Sequence, residues 1–343
     1  MISSFWSGLG GKLAERGAAA LFTPAFAFWA LGVGAWLLSR PDAAAQRRLM
    51  DAFEGLSGIA QATLIVLVLL VVAASSVVAE RLALAVLRVL EGYWPRPLRA
   101  LARALVRWRA ARFVVLEKRW VELYARHEEG RSAQGEEQEL VDLERRLAAL
   151  PARADRLMPT RLGNVLRAAE SGVEDKYGID PVRCWPALWL VLPDATRTEV
   201  TAARASLDTA ATWVLWSVLV VVWAVFTPWA VPVAVVAAVA AYANLLGTAA
   251  RYGELVDAAF ALHRGLLYDA LGRPRPSQPS DERAAGRVLT AALWRGPEVA
   301  AQLPSTAPDA AEAPAIRRAP RPPSDATAGT VRVRRGGRAG PRA

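Results

Sequence analysis

The chain has 343 residues, 54% of them hydrophobic, with thirteen Trp, one Cys, two His and a formal net charge of +10. Soluble domains carry about 45–50% apolar residues by this count, so the chain is apolar enough for lipid and long enough for a soluble domain besides. Cys184 alone excludes an internal disulfide, and His127 and His263 are too few for a zinc site without heavy carboxylate help, so no metal or other cofactor is expected. Most of the positive charge lies beside uncharged runs or in the C-terminal tail, which makes nucleic acid an unexpected partner.

The expected fold class is all-α: a polytopic membrane protein with four transmembrane helices, a helical cytoplasmic domain and a disordered tail. No charge occurs from Gly17 to Ser39, from Gly55 to Ala79, or from Thr209 to Ala250. Each of the first two runs exceeds the roughly 20 residues that cross about 30 Å of hydrocarbon as a helix, and the third is about twice that. A cleavable signal peptide, with Lys12 and Arg16 as its charged start, would carry an apolar core of only about 7–15 residues, so the first run reads as a retained span. The predicted order is a cytoplasmic N-terminus (1–17), a first span (18–39), an external loop (40–56), a second span (57–79) and a cytoplasmic helical domain (80–207). A third span (208–226), an external turn (227–229) and a fourth span (230–250) follow. The turn falls at Pro228, which breaks the backbone pattern, with Trp229 at the aromatic belt of the bilayer.

Orientation follows from Lys and Arg, which number two before the first span, three in the loop to Glu54, twenty-two from Glu80 to Asp208, none in the turn and fifteen after the fourth span. Cytoplasmic segments carry the excess, which puts both termini and 80–207 inside a bacterial plasma membrane. The Ala- and Arg-heavy composition is similar to that of high-GC bacteria.

Within 97–108, Leu98, Leu101, Leu105 and Trp108 share one arc of a helix, and Arg99, Arg103 and Arg107 share another. Two readings stand: a helix lying on anionic lipid headgroups, or a soluble helix packing its leucines on the rest of the domain. The amphipathic stretches 113–129 and 136–150, joined through Gly130 and Gly135, predict an antiparallel helical hairpin. The carboxylates of its second arm are mixed with Arg145 and Arg146, as on a solvated face.

The stretch "LMPTRLGNVLRAAESG" (157–172) predicts a helix N-capped by Thr160. Gly163 in its first turn is unfavourable by about 1 kcal/mol relative to Ala and asks for a reason. Close approach of another element is the favoured one. The other is an anion or lipid phosphate held at the helix N-terminus beside Arg161. Asp180-Pro181 then opens a short helix that Pro193 ends. Cys184 beside Arg183 has the neighbour of an activated thiolate, but between aromatics it reads as packing. Glu174, Asp175 and Asp180 near Arg161 form the single cluster that an enzyme reading would use.

In the fourth span Ala237 and Ala241, then Ala240, Asn244 and Thr248, then Ala243 and Gly247 recur at spacing four, as do Ala30 and Gly34 in the first. This spacing predicts helix–helix contact in lipid, with Asn244 as an interhelical hydrogen bond or a solute contact. A cytoplasmic amphipathic helix (251–272) carries Val256, Phe260, His263 and Leu267 on one face, with His263 at its edge. A disordered, basic, Pro/Ala/Arg-rich tail (273–343) closes the chain, ending in "VRVRRGGRAGPRA", which is faintly similar to an RGG segment.

The stretches "GLGGKLAERGAAALFTPAFAFW", "MPTRLGNVLRAAES" with "DKYGIDPVRCWPALW", and "YGELVDAAFALHRGLLYDALG" together resemble a family of uncharacterised bacterial four-span integral membrane proteins over residues 8–275. The resemblance implies localisation and topology and transfers no functional residue. The order of two spans, a cytoplasmic insert and a tight hairpin is similar in topology alone to bestrophin-like anion channels. The expected function is a non-enzymatic scaffold that binds protein partners, or copies of itself, through the cytoplasmic domain. The alternative is a homo-oligomeric channel lined by Ser75, Ser76, Thr209 and Thr212, because apart from Asp208 at the mouth of the third span no Asp, Glu, Lys, Arg or His within the four spans marks a coupled pathway.

Overall fold

A computed structural model describes residues 24–39 and 43–302, and the described residues are helices and turns with no strand. The predicted N-terminus, the first six residues of the first span and the tail from residue 303, with its RGG-like end, lie outside the described residues. Three helical segments are long and apolar enough to cross a membrane, within 58–128, 194–225 and 230–270.

Helix α1 (Pro24–Ser39) is apolar on every side and short. It packs on the other apolar helices through aromatic side chains: Phe28 lies between Trp216 and Trp223 with ring centroids 5.0 Å from each. Trp29 Nε1 donates to Ser75 Oγ at 3.2 Å, so a polar edge among apolar groups keeps a partner. Helix α2 (Ala43–Glu54) occupies most of what was expected to be a loop. Its Ala-rich run lacks Gly and Pro until Gly55, which favours a helix over a turn. Gln61 Nε2 donates to Phe53 O at 2.9 Å, fastening α2 to the next helix.

Helix α3 (Gly58–Glu91) starts at Ser57, whose hydroxyl accepts from Ala60 N, and ends at Gly92 in the left-handed region. Its 34 residues extend about 51 Å at 1.5 Å per residue, well past the uncharged run. Helix α4 (Arg99–Glu128) is one piece, where the sequence suggested separate stretches at 97–108 and 113–129. Nothing in "RAAR" (109–112) interrupts the backbone. Gly130 and Gly135, both at positive φ, turn the chain into α5 (Glu136–Ala148). The pairs Arg119–Glu139 and Arg126–Glu136 set these two helices antiparallel, while Phe113, Trp120, Leu123, Leu140 and Leu143 are buried.

Helices α6 (Arg161–Tyr177) and α7 (Pro181–Val191) follow; Asp180 Oδ1 caps α7 by accepting from Val182 N and Arg183 N. Helix α8 (Asp194–Leu219) runs into a 3-10 segment to Val225. After the turn at Thr227-Pro228, α9 (Ala230–Ala270) continues unbroken for 41 residues alongside α8. The predicted fourth span and the amphipathic helix after it are therefore one element, because the Arg251-Tyr-Gly-Glu254 junction contains no helix breaker strong enough to separate them.

The C-terminal reading needs a correction. Residues 273–343 were expected to be disordered, yet α10 (Glu282–Arg295) and α11 (Pro297–Ala301) are helices, and Leu289 is fully buried. The tail's overall composition hides Ala285, Leu289 and Leu293 at spacing four, an apolar face long enough to dock. Two glycines allow the approach. A Cβ on Gly286 would lie 1.9 Å from Tyr177 O, and one on Gly178, at φ +66, would lie 2.1 Å from Arg283 O.

Two buried clusters organise the region that holds the polar sites. Leu87, Leu162, Leu207, Ala211, Leu245 and Ala249 join α3, α6, α8 and α9. Val173, Ile179, Cys184, Leu188, Phe260 and Leu289 join α6, α7, α9 and α10.

Candidate functional site

The Thr160–Asn164 stretch forms a junction between two helix ends. Gly92 stops α3 and leaves the Glu91 carbonyl available, and Thr160 Oγ1 donates to it at 2.8 Å while accepting from Gly163 N at 3.0 Å. One hydroxyl thus serves the C-terminus of α3 and the N-terminus of α6. A Cβ on Gly163 would fall 2.0 Å from the same Glu91 carbonyl, which supplies the reason that the sequence demanded. Asn164 is fully buried; its Oδ1 accepts from Met158 N at 2.7 Å, and its Nδ2 donates to Met158 O at 3.0 Å and Thr160 O at 2.8 Å. Leu162 N donates to Tyr242 Oη at 3.4 Å, and Arg109 Nε donates to Pro159 O at 3.0 Å. The amides of Leu162, Gly163 and Asn164 therefore all have protein acceptors, and an anion would have to displace them. Arg161 is exposed beside this junction. Asn164 and Tyr242 carry no motif and become visible as a pair of clamps only once α6 meets α9.

Beside the junction lies a half-open cleft of ≈ 280 Å³, between the end of α3 and helices α6, α7, α8 and α9. Glu91, Arg167, Glu170 and Arg204 supply two charges of each sign, and Tyr93, Trp185 and Tyr252 supply aromatic walls. Arg167 pairs with Glu170 at 3.2 Å and donates to Tyr93 Oη at 3.1 Å; Arg204 pairs with Asp208 at 3.1 Å. The Glu91 carboxylate has no hydrogen bond or ion pair among the described residues. Burial, and then the charge of Glu170, push it above the usual carboxylate range, with Arg204, Arg88 and Arg167 pulling it back. Burial raises Glu170 too, against Arg167. The sequence gives little notice of this cleft, because its four charges are scattered from residue 91 to residue 204.

At the start of α4, Leu98 just before the helix and Leu101 and Trp108 within it are 43%, 52% and 52% exposed, alongside exposed Arg99, Arg103 and Arg107. The Arg112 guanidinium lies 5.0 Å from the Trp108 ring centroid. Leu105, on the same predicted arc, is half-buried, and the exposed Leu98, Leu101 and Trp108 form an apolar strip beside the arginines.

The remaining candidates are scattered. Ala237 and Ala241 are partly buried, but Asn244 and Gly247 face outward, and nothing lies within 4 Å of where a Gly247 Cβ would be. The inner face of α9 is set instead by Ala234, Leu245 and Ala249. Glu174 and Asp175 pair with Arg156, at 2.9 and 3.6 Å, and Asp180 pairs with Arg183 at 3.2 Å. Cys184 is buried with its Sγ 3.6 Å from Thr290 Oγ1, and burial pushes the thiol up to about 11, far from an activated thiolate. His263 Nε2 lies 3.3 Å from Thr196 Oγ1, which occupies it within the fold. Among the described residues no group of three His, Cys, Asp or Glu is placed to hold a metal ion.

No protein-family model, no curated protein and no solved structure matches this chain.

Proposed function

We propose that this chain is a polytopic protein of the bacterial cytoplasmic membrane, crossing it four times at 18–39, 57–79, 208–226 and 230–250 with both termini inside. It acts as a non-enzymatic scaffold: residues 80–207 hold protein partners, and the first half of α4 lies on anionic lipid headgroups. The observation that carries this reading is the open strip of α4, with Leu98, Leu101 and Trp108 outward beside Arg99, Arg103 and Arg107. In water alone such a strip is a liability, whereas at a bilayer surface each Arg contributes about 1 kcal/mol of attraction to anionic lipid.

The test uses the full chain in nanodiscs containing brominated anionic lipid, with Trp108 emission taken as the difference between the parent chain and Trp108→Phe. Quenching in anionic lipid that is lost in the R99Q/R103Q/R107Q variant is expected. Emission from Trp108 that ignores the brominated lipid would overturn the lipid-docked reading.

A second reading, the homo-oligomeric channel, draws on the outward face of α9. There Ala240, Ala243, Asn244 and Gly247 present small residues and one amide that has no hydrogen-bond partner among the described residues. A second copy can approach such a face closely and share the amide's hydrogen bonds. The mass of the nanodisc-embedded protein decides between the two. A closed ring of four or more subunits favours the channel, and a monomer or dimer leaves no room for a pore.

A further inference from the structure

Three features make the cleft between α3, α6 and α9 more than a gap in the packing. Its four charged side chains, Glu91, Arg167, Glu170 and Arg204, sum to zero. Three of them are already engaged within the protein, Arg167 with Glu170 and Arg204 with Asp208, while Glu91, which also lines the cleft, has no side-chain hydrogen bond or ion pair among the described residues. A half-buried carboxylate in that state has only the arginines beyond ion-pair distance, Arg204, Arg88 and Arg167, to set against its desolvation. Its size is the third feature: ≈ 280 Å³ is just under the range of about 300–1,000 Å³ typical of sites for drug-sized ligands, so a small polar group fits better than a whole metabolite.

Position narrows the ligand. Arg204 lies five residues before the uncharged run of α8 and α9 begins, and Gly253 lies three residues after it ends. These are about 7.5 Å and 4.5 Å of helix, so on the membrane-crossing reading above, on which this inference rests, the cleft sits at headgroup depth. A ligand there that carries a cation for Glu91 and an anion for Arg204 is a zwitterion.

We propose that this cleft binds a phosphoethanolamine zwitterion, carried on a phospholipid or free, with its primary ammonium donating to Glu91 and its phosphate held by Arg204. A primary ammonium has three N–H donors for Glu91 and Glu170, and the rings of Tyr93, Trp185 and Tyr252 add faces on which a cation rests. A quaternary choline group has no donor for Glu91. A phosphoglycerol headgroup has no cation. Arg204, whose guanidinium already lies 5.9 Å from the Tyr252 ring centroid and pairs with Asp208, has further N–H donors for a phosphate.

The test is native mass spectrometry of the full chain released from nanodiscs of equal phosphatidylethanolamine, phosphatidylcholine and phosphatidylglycerol. In a second arm, calorimetric titration with glycerophosphoethanolamine uses nanodiscs lacking ethanolamine lipid. Retention of the ethanolamine lipid over the other two is expected, with Glu91→Gln weakening it by about tenfold or more, the usual effect of losing one charge-assisted hydrogen bond. Glu170→Gln serves as the second variant and should weaken it less, because Glu170 is already paired with Arg167. Both variants are compared only where their melting temperatures match the parent chain. Binding of the water-soluble headgroup with no lipid preference assigns the site to the free zwitterion, within the same chemistry. No ethanolamine preference in the first arm together with no binding in the second, or Glu91→Gln behaving as the parent in both, overturns the proposal. The R99Q/R103Q/R107Q chain should keep the ethanolamine preference while losing Trp108 quenching, so the cleft and the α4 surface fail independently.

Discussion

The two halves of α9 belong to one unbroken helix and meet opposite surroundings. From Ala230 to Ala250 its outward face is largely apolar, with Val236 and Val239 at 69% and 65% exposure beside Asn244 and Gly247, and its inner face is mostly small, Ala234 and Ala249 with Leu245 between them. Beyond Arg251 large apolar side chains turn inward: Phe260, Leu267 and Tyr268 are buried in a cluster shared with α7 and α10, while the outward positions mix Arg251, Glu254 and Asp269 with Ala258, Leu262 and Leu266. Apolar side chains turned outward and small ones turned inward suit lipid, where van der Waals packing rather than the hydrophobic effect joins helices. Large apolar groups turned inward suit water, where burial itself supplies the driving force. The same backbone thus passes from one regime to the other within about one helical turn, and the charged cleft lies at the changeover.

The comparison is sharpest in a pair of substitutions on this helix. Phe260→Ala should cost about 3–5 kcal/mol of stability, as for a fully buried aromatic, while Val236→Ala should change little, since its side chain leaves no cavity behind. Denaturant unfolding of both variants in the same detergent reads the difference. Equal losses would mean that the upper half is packed against another protein surface rather than lipid.

A slightly smaller effect tests how far the water-facing core extends. Leu289→Ala in α10 should cost about 2–5 kcal/mol and speed maleimide labelling of Cys184, which is buried beneath Thr290. Labelling of Cys184 in the native parent chain at pH 8 would contradict its burial and its raised pKa.

At the junction itself, Gly163→Ala should cost about 1–3 kcal/mol, because the added methyl would press on the Glu91 carbonyl and crowd the Met158 Cβ and Thr160 Oγ1 as well. The loss should appear in the same unfolding assay. A neutral outcome would mean that α3 and α6 separate easily, and with them the cleft walls.

The smallest expected effect concerns pH. Burial raises the carboxyls of Asp175 and Glu170 above their ordinary values, so the folded chain holds their protons more tightly than the unfolded one. Their stabilising contribution is complete below the ordinary carboxylate pKa and fades as pH rises through the raised folded value. Glu136, Glu139 and Asp155 are shifted downward and act in the opposite sense, losing stability as pH falls. The Asp175→Asn chain should therefore lose less stability than the parent between pH 5 and pH 7, measured as melting temperature in one buffer series. An unchanged slope would remove Asp175 from the account.

Much of this could be read in order along the chain. The uncharged runs, the hairpin turn at Pro228, the Asp180-Pro181 start of α7 and the Gly130–Gly135 bend each follow from local chemistry: charge exclusion from hydrocarbon, a missing N–H, or a backbone conformation that Gly tolerates. Helix continuity was less legible. Nothing in "RAAR" or at Arg251 states that two amphipathic stretches join, and the composition of the tail concealed α10.

Sequence by itself determined which runs are uncharged and apolar, most of the helical segments apart from α2, α10 and α11, and that Gly163 answers to some constraint. Tertiary structure alone decided what that constraint is, which face of α9 turns inward, and that Glu91, Arg167, Glu170 and Arg204 share one cleft. The physical reason is range. Propensity, capping and hydrophobic period act within a few residues, whereas a carbonyl 72 positions away, or four charges spread over 114 positions, are brought together only when the helices that carry them pack.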